Sequence, residues 1–287
     1  MTLENPYKNS LDGLEILNPV KSFFDYCKER ENVRIKRESG ESFPWSEDPI
    51  LQKGRFLNVF REDDKVSRSI INRASHIKDD LPLLIQFLFF SRWCNKNEVI
   101  KNLNMDELNN PAVFKNNLNL IGNWANLTAY PVEDIIWENV NYKRIDAATE
   151  LFHSIRDELL KLVKASDKNV IYATELINEK FQMKNNFPIF MALIDIAWFR
   201  PDLIPITSEV PTGIGASPYL DRLQDYLGLD NHQQVATQMV ALQKENWPDA
   251  KREFYPIDIE YQSCECRKYF SYVNGTKKFE GKNLFTI

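Results

Sequence analysis

The sequence is poor in the residues that build metal and redox sites. Its 287 residues include three histidines and four cysteines. His76, His153 and His232 show no H-x-x-x-H spacing, and Cys264 and Cys266 lack a second pair, so no metal site is expected. Four cysteines in so long a chain make no disulfide framework; the expectation is reduced thiols in a cytoplasmic protein. Nine glycines are too few for fibrous or low-complexity character. No uninterrupted apolar run reaches the ~18 residues of a membrane span. The opening MTLENPYKNS has no basic-then-apolar leader pattern. The phosphate-binding G-x-x-x-x-G-K-[ST] loop, the G-x-S-x-G nucleophile turn and the Rossmann fingerprint are also missing, so no cofactor is expected.

What is present points to a mainly helical, single compact unit over residues 1–287, or two helical lobes with a cleft between them. Hydrophobic residues make up 43% and charged residues 27%, ordinary values for a globular chain. Helical periods recur at 147–165, with Leu151, Phe152, Ile155, Leu159 and Leu162 inward, and again at 170–182. LPLLIQFLFFSRWC (81–94) is apolar all round, as a helix buried by its neighbours would be. Asp63 or Asp64 is placed to cap a helix that buries Val66, Ile70, Ala74 and Ile77. Residues 102–146 are broken by Pro111, Gly122 and Pro131. Residues 1–50 read as an irregular lead-in, and 254–287 as short extended pieces rather than a long helix.

Net charge is −5, which counts against a non-specific nucleic-acid binder but not against a local basic groove. KERENVRIKR (28–37) supplies such an excess, with five basic and two acidic side chains. If that stretch is helical, Arg30, Arg34 and Arg37 share a face; if extended, Arg34 and Lys36 do. Arg61, Lys65, Arg68 and Asn72 are expected on the outer side of the next helix, within reach of phosphates or base edges.

FPIFMALIDIAWF (187–199) holds the sharpest anomaly. Asp195 has Met191, Ala192, Trp198 and Phe199 as helical neighbours, none able to neutralise a carboxylate. Such a group is retained if it is paired from elsewhere, by Arg92 or Arg200, or if it does chemistry. Asp202 and Glu209 are the other acids suited to sugar-carbon chemistry. VPTGIGASPYLDRLQDYLGL (210–229) reads as a tight glycine hairpin and a helix, close to the hairpin of helix-hairpin-helix DNA-binding elements. Gly213 and Gly215 would let the backbone turn sharply and approach a phosphate.

Four segments resemble one family: residues 30–64, 187–198, 210–223 and the CECRKY of 264–269. Arg55-Phe56, Asn58, Arg61 and Asp64 are the most specific part. The resemblance is to the alpha-glutamyl/putrescinyl-thymine pyrophosphorylase-like proteins, a helical domain also attached to 5-hydroxymethyluracil DNA kinases and distantly similar to helix-hairpin-helix DNA glycosylases. It implies an all-α glycosylase-like fold and action on double-stranded DNA carrying a 5-modified pyrimidine. On that basis the expected activity is excision of a flipped, bulky 5-modified base, as in defence against viral DNA. The alternatives are transfer chemistry, an amine displacing pyrophosphate at the 5-methylene, or a non-catalytic reader. Asp195, Asp202 and Glu209 are the candidate catalytic acids. Arg34, Arg55, Asn58, Arg61, Asp64, Gly213, Gly215, Ser217 and Lys268 are the candidate DNA or base contacts. Arg55, Asn58 and Arg61 could equally form a buried polar network joining helices. No membrane partner is implied.

Overall fold

Helix starts in this chain follow a repeated local signal, a capping side chain followed by proline. Asn18, Asp48, Asp80 and Asn110 each accept a backbone N–H of the first turn, and each precedes a helix with proline at its first or second position. The structure, a computed structural model, describes residues 5–126, 133–281 and 284–285. It is mainly α-helical and divides into two compact units: residues 1–63 with 212–287, and residues 64–211.

The first unit begins with α1 (Pro19–Glu38) and α2 (Pro49–Lys53). The second then contributes α3 (Lys65–Ser75), α4 (Leu81–Cys94), α5 (Asn97–Asn102) and α6 (Pro111–Ile121). A small antiparallel hairpin follows, β1 (Ile135–Trp137) paired with β2 (Val140–Tyr142). Next come α7 (Arg144–Asp146), a π-helical turn (Ala147–Leu151), α8 (Phe152–Ser154), α9 (Arg156–Lys164), α10 (Val170–Phe181) and α11 (Phe187–Phe199). The chain returns to the first unit for α12 (Ser217–Leu227), α13 (His232–Asn246) and α14 (Pro256–Val273). Pro131 lies outside the described residues.

The second unit is built around α4, which packs on α11, α9 and α3. Every residue from Leu84 to Cys94 is buried, as expected of a helix apolar on all sides. Phe89, Trp93, Phe152 and Phe181 meet there edge-on or stacked. Truncating one such ring costs about 3–5 kcal/mol. Asp64 caps α3 by accepting the N–H groups of Val66 and Ser67, and Ile70 and Ala74 are buried as expected. The stretch 147–165 is not one regular helix. The π turn inserts an extra residue and rotates the following face, so Val163 is buried and Leu162 only partly so.

The first unit is built around α14, which α1, α2, α12 and α13 contact. This corrects the expected extended tail. α14 buries polar residues among apolar ones on all sides, including Asp258, Glu260, Gln262, Ser263, Glu265 and Arg267, so no apolar stripe marks it in sequence. The irregular lead-in is corrected too, because residues 19–38 form the 20-residue α1. Its aromatic face joins a core of Phe23, Phe24, Phe60, Tyr219, Trp247 and Phe254.

Candidate base-binding cleft

The three candidate acids all lie in the second unit, and two of them are committed to arginines. Asp195 is 4% exposed and accepts from Arg92 through both carboxylate oxygens, Nε at 2.5 Å and Nη2 at 2.9 Å. Arg92 is 2% exposed and also donates to Ser67 Oγ at 3.2 Å. The isolated acid of the apolar helix is thus half of a bidentate ion pair. Asp202 is exposed and pairs with Arg200 at 2.5 Å, whose hydrogen bond holds its pKa below the usual carboxylate range. Glu209 is exposed.

Most candidate DNA contacts lie in the first unit, and several are engaged internally. Arg34 is clamped by Glu31 at 2.5 Å and Glu38 at 2.6 Å, with Asp63 at 3.4 Å. Arg61 is buried rather than on an outer face, and Asp64 of the second unit is spent as the α3 cap. Arg55 is exposed, and its carbonyl accepts from Lys268 Nζ at 2.5 Å. Asn58 donates to Asp63 O and accepts from Arg30 Nη2 at 2.7 Å. Ser217 Oγ accepts from Asn5 Nδ2 at 2.8 Å.

Asn58 in this way holds Arg30. Arg30 is 5% exposed in the middle of α1, and its Nη2 also donates to Phe56 O at 3.1 Å. Its Nη1 is buried with no hydrogen-bond partner among the described residues. Burial lowers the Arg30 pKa and Arg37 adds to this, while Tyr26, Glu265 and Tyr261 oppose it. Arg30 and Arg37 line a cleft walled by Phe43, Trp45 and Phe56, with Phe285 closing one side. Its free cavity is about 30 Å³ below a mouth that brings the empty space to about 410 Å³. Trp45 meets Phe43 at 5.5 Å and Phe285 at 5.7 Å, both edge-on. Gly54 is required here. A Cβ would lie 2.4 Å from the Phe56 ring and 2.8 Å from Ile50 O. Lys268 Nζ stands 4.9 Å above the Phe56 ring centre, the distance of a cation–π contact.

The glycine turn serves a different purpose from the one its sequence suggests. Neither Gly213 nor Gly215 adopts a positive φ. They provide clearance: a Cβ on Gly213 would sit 2.7 Å from Glu260 Oε1, and one on Gly215 2.6 Å from Cys264 Sγ. Glu260, Cys264 and Arg267 are spaced i, i+4 and i+7 along α14, one face of that helix. Gly213 N–H donates to Glu260 Oε1 at 3.0 Å, and Arg267 Nε donates to Gly215 O at 3.0 Å. The Gly213 amide expected to hold a phosphate is therefore taken by a carboxylate. Burial raises the Glu260 pKa to about 7 despite that hydrogen bond.

One comparison with known proteins bears on the cleft. Residues 18–111 match the family model for the helical domain of 5-hmdU DNA kinase. Neither a curated protein nor a solved structure matches the chain at a significant level. The matched stretch carries Arg30, Arg37, Phe43, Trp45, Gly54 and Phe56, every cleft residue named above except Phe285.

Arg30 was visible in sequence only as one of several arginines on a basic stretch. Its burial depends on the 54–58 strap folding back over α1, which local spacing does not encode. A wider groove of about 820 Å³ occurs in the second unit among Val99, Leu103, Phe114, Leu118 and Ile121. Glu98 and Glu107 against Lys96 give its rim the wrong sign for a polyanion.

Among the described residues no cluster of His, Cys, Asp or Glu is arranged to hold a metal ion. Among them too, no helix is long and apolar enough to cross a membrane.

Proposed function

We propose that this chain recognises a 5-modified pyrimidine in double-stranded DNA and takes the flipped base into the Arg30 cleft. The observation that carries this is a buried arginine with an unused N–H group inside an aromatic-walled cleft. Aromatic walls stack on the π-face of a base, and a guanidinium donates to its edge or substituent. A base must leave the stack to reach such a site. The match to a helical domain of a kinase for 5-hmdU in DNA supports this class of ligand. So does the resemblance to the thymine pyrophosphorylase-like proteins over residues 30–64. Exposed Phe43 must swing outward to admit a ring, because the free cavity alone is too small.

Excision is the second reading, the activity implied by the resemblance over residues 30–64, 187–198, 210–223 and 264–269. Asp195 supports excision poorly, since its carboxylate is saturated by Arg92.

The test uses duplex oligonucleotides carrying a central thymine or 5-hydroxymethyluracil, followed by fluorescence anisotropy and by mass spectrometry of released base. Recognition predicts tighter binding of the modified duplex, lost in Trp45→Ala, with no base released. Excision predicts free base from the modified duplex. Equal binding of both duplexes, unaffected by Trp45→Ala, overturns the base-pocket reading.

A further inference from the structure

Among the described residues, His232 is the one histidine bonded through both ring nitrogens. Its Nε2 lies 2.9 Å from Asp221 Oδ1, and its Nδ1 lies 3.2 Å from Thr212 Oγ1. All three residues belong to the first unit, and none lines the Arg30 cleft. A carboxylate only accepts, so Nε2 carries the hydrogen of its bond. Nδ1 of the neutral ring is then an acceptor, and the Thr212 hydroxyl donates to it. A hydroxyl on one ring nitrogen, with a carboxylate on the other, is the arrangement that activates an oxygen nucleophile.

Each member is fixed by a different element. Asp221 stands on the outer side of α12, whose Leu220 and Leu223 are buried. His232 is the first residue of α13, where the Asn231 side chain accepts Gln234 N–H. Thr212 enters the glycine turn, and the adjacent Gly213 N–H is tied to Glu260 of α14. α12 and α13 pack on each other and on α14, so the core of the unit sets the geometry. The trio is nevertheless reachable, since the His232 side chain is 19% exposed and Thr212 is half-buried. Beyond Gly213, the amides of Ile214 and Gly215 donate to no other group among the described residues. They are the donors on hand for an oxyanion. Ile214, 60% exposed, offers an apolar surface to a short acyl chain.

We propose that Thr212, His232 and Asp221 form an acyl-transfer site that hydrolyses small carboxylic esters. Thr212 Oγ1 attacks the acyl carbon while His232 Nδ1 takes its proton. The bond from that carbon to the leaving oxygen breaks, and His232 returns the proton to the alcohol. Water, deprotonated by the same nitrogen, then attacks the acyl-Thr212 ester. The proton passes back to Oγ1 as the carboxylic acid leaves. Asp221 is a positioning residue that acts through His232. This activity is separate from base recognition and does not depend on it.

The experiment incubates the full chain with p-nitrophenyl acetate. A burst of about one p-nitrophenolate per chain is expected, followed by slower turnover. Mass spectrometry of the quenched protein is expected to place an acetyl ester on Thr212. Thr212→Val keeps the shape without the hydroxyl and is expected to lose both burst and adduct, while Thr212→Ser retains them. His232→Gln is expected to lower kcat at least about a hundredfold. Asp221→Asn is expected to lower kcat about tenfold with KM unchanged, a split that a merely structural role would not produce. The position of the acetyl group decides the matter even if Thr212→Val fails to fold. A wild-type rate equal to that of Thr212→Val, or acetyl groups on lysines alone, overturns the site and leaves the trio a clasp between turn and helices.

Discussion

Two buried arginines, one in each unit, show how differently the same side chain can be used. Arg92 on α4 meets Asp195 with two hydrogen bonds and Ser67 with a third. Its charge is cancelled by that carboxylate. Arg30 on α1 is nearly as buried, but both oxygens it meets are neutral and Nη1 has no partner. A directly paired charge joins helices; one without a hydrogen-bonded counter-ion beside a cleft is a candidate site. By that standard Asp195, the more anomalous residue in sequence, sits in a completed ion pair, and Arg30, one of three arginines sharing a face of the basic stretch, is the candidate site residue.

The comparison breaks most visibly at Asp195. Asp195→Asn leaves Arg92 buried without a counter-charge and is expected to lower unfolding free energy by about 3–5 kcal/mol in urea titrations. Replacing both partners, Arg92→Met with Asp195→Leu, is expected to recover most of that loss, because the site then holds no charge. A double variant as unstable as the single one would show that the pair does more than cancel itself.

Glu260 lies between the two cases, a buried charge with one amide donor. Its pKa of about 7 stands above the ordinary 4.5, so the folded state holds the proton more tightly than the unfolded state. Its stabilisation is therefore complete below pH 4.5 and is lost as pH rises to about 7, an effect of up to about 3 kcal/mol. Glu260→Gln keeps an acceptor for Gly213 N–H and removes the charge. Its stability relative to the wild-type chain is expected to climb from pH 5 to about pH 7 and level off above that. Glu62, which burial would raise but Arg252 holds down to about 2, titrates well below that window. A flat difference between variant and wild type across pH 5–8 would remove Glu260 from this series.

Arg30 itself should matter less for folding than Asp195. Arg30→Met strands Phe56 O and Asn58 Oδ1 but removes a buried charge with no directly bonded counter-ion, so a loss of about 1–2 kcal/mol is expected in thermal or urea unfolding. A loss as large as that of Asp195→Asn would mean Arg30 is structural after all.

What sequence could show divides along the same line. α4, α10 and α11 were legible because an unbroken apolar run or a regular period survives in them. α14 was not, because a helix surrounded by partners and lined with Glu260, Gln262 and Glu265 has no apolar stripe to detect. Gly213 and Gly215 stood out as a turn, but their need is clearance from Glu260 and Cys264, residues about fifty positions away. The cleft was hidden for the same reason. Phe285 joins Phe43 and Trp45 only through tertiary contacts, such as Phe285 N–H donating to Lys53 O at 2.8 Å. The basic excess at 28–37 was the one local signal pointing to it, and it did not separate Arg30 from Arg34, which Glu31 and Glu38 neutralise.

The smallest effect belongs to Asp202, the exposed counterpart of Asp195. Its bonds to Arg200, at 2.8 and 2.5 Å, resemble the buried pair in geometry. Solvent, however, screens the attraction and hydrates either partner when the other is removed. Asp202→Asn is therefore expected to change unfolding free energy by less than about 0.5 kcal/mol, and to matter still less at high salt. Measured beside Asp195→Asn, it separates geometry from burial. If the two variants lost similar stability, desolvation would not be what makes the Arg92 pair structural, and the unpaired Arg30 would lose its claim to be a site.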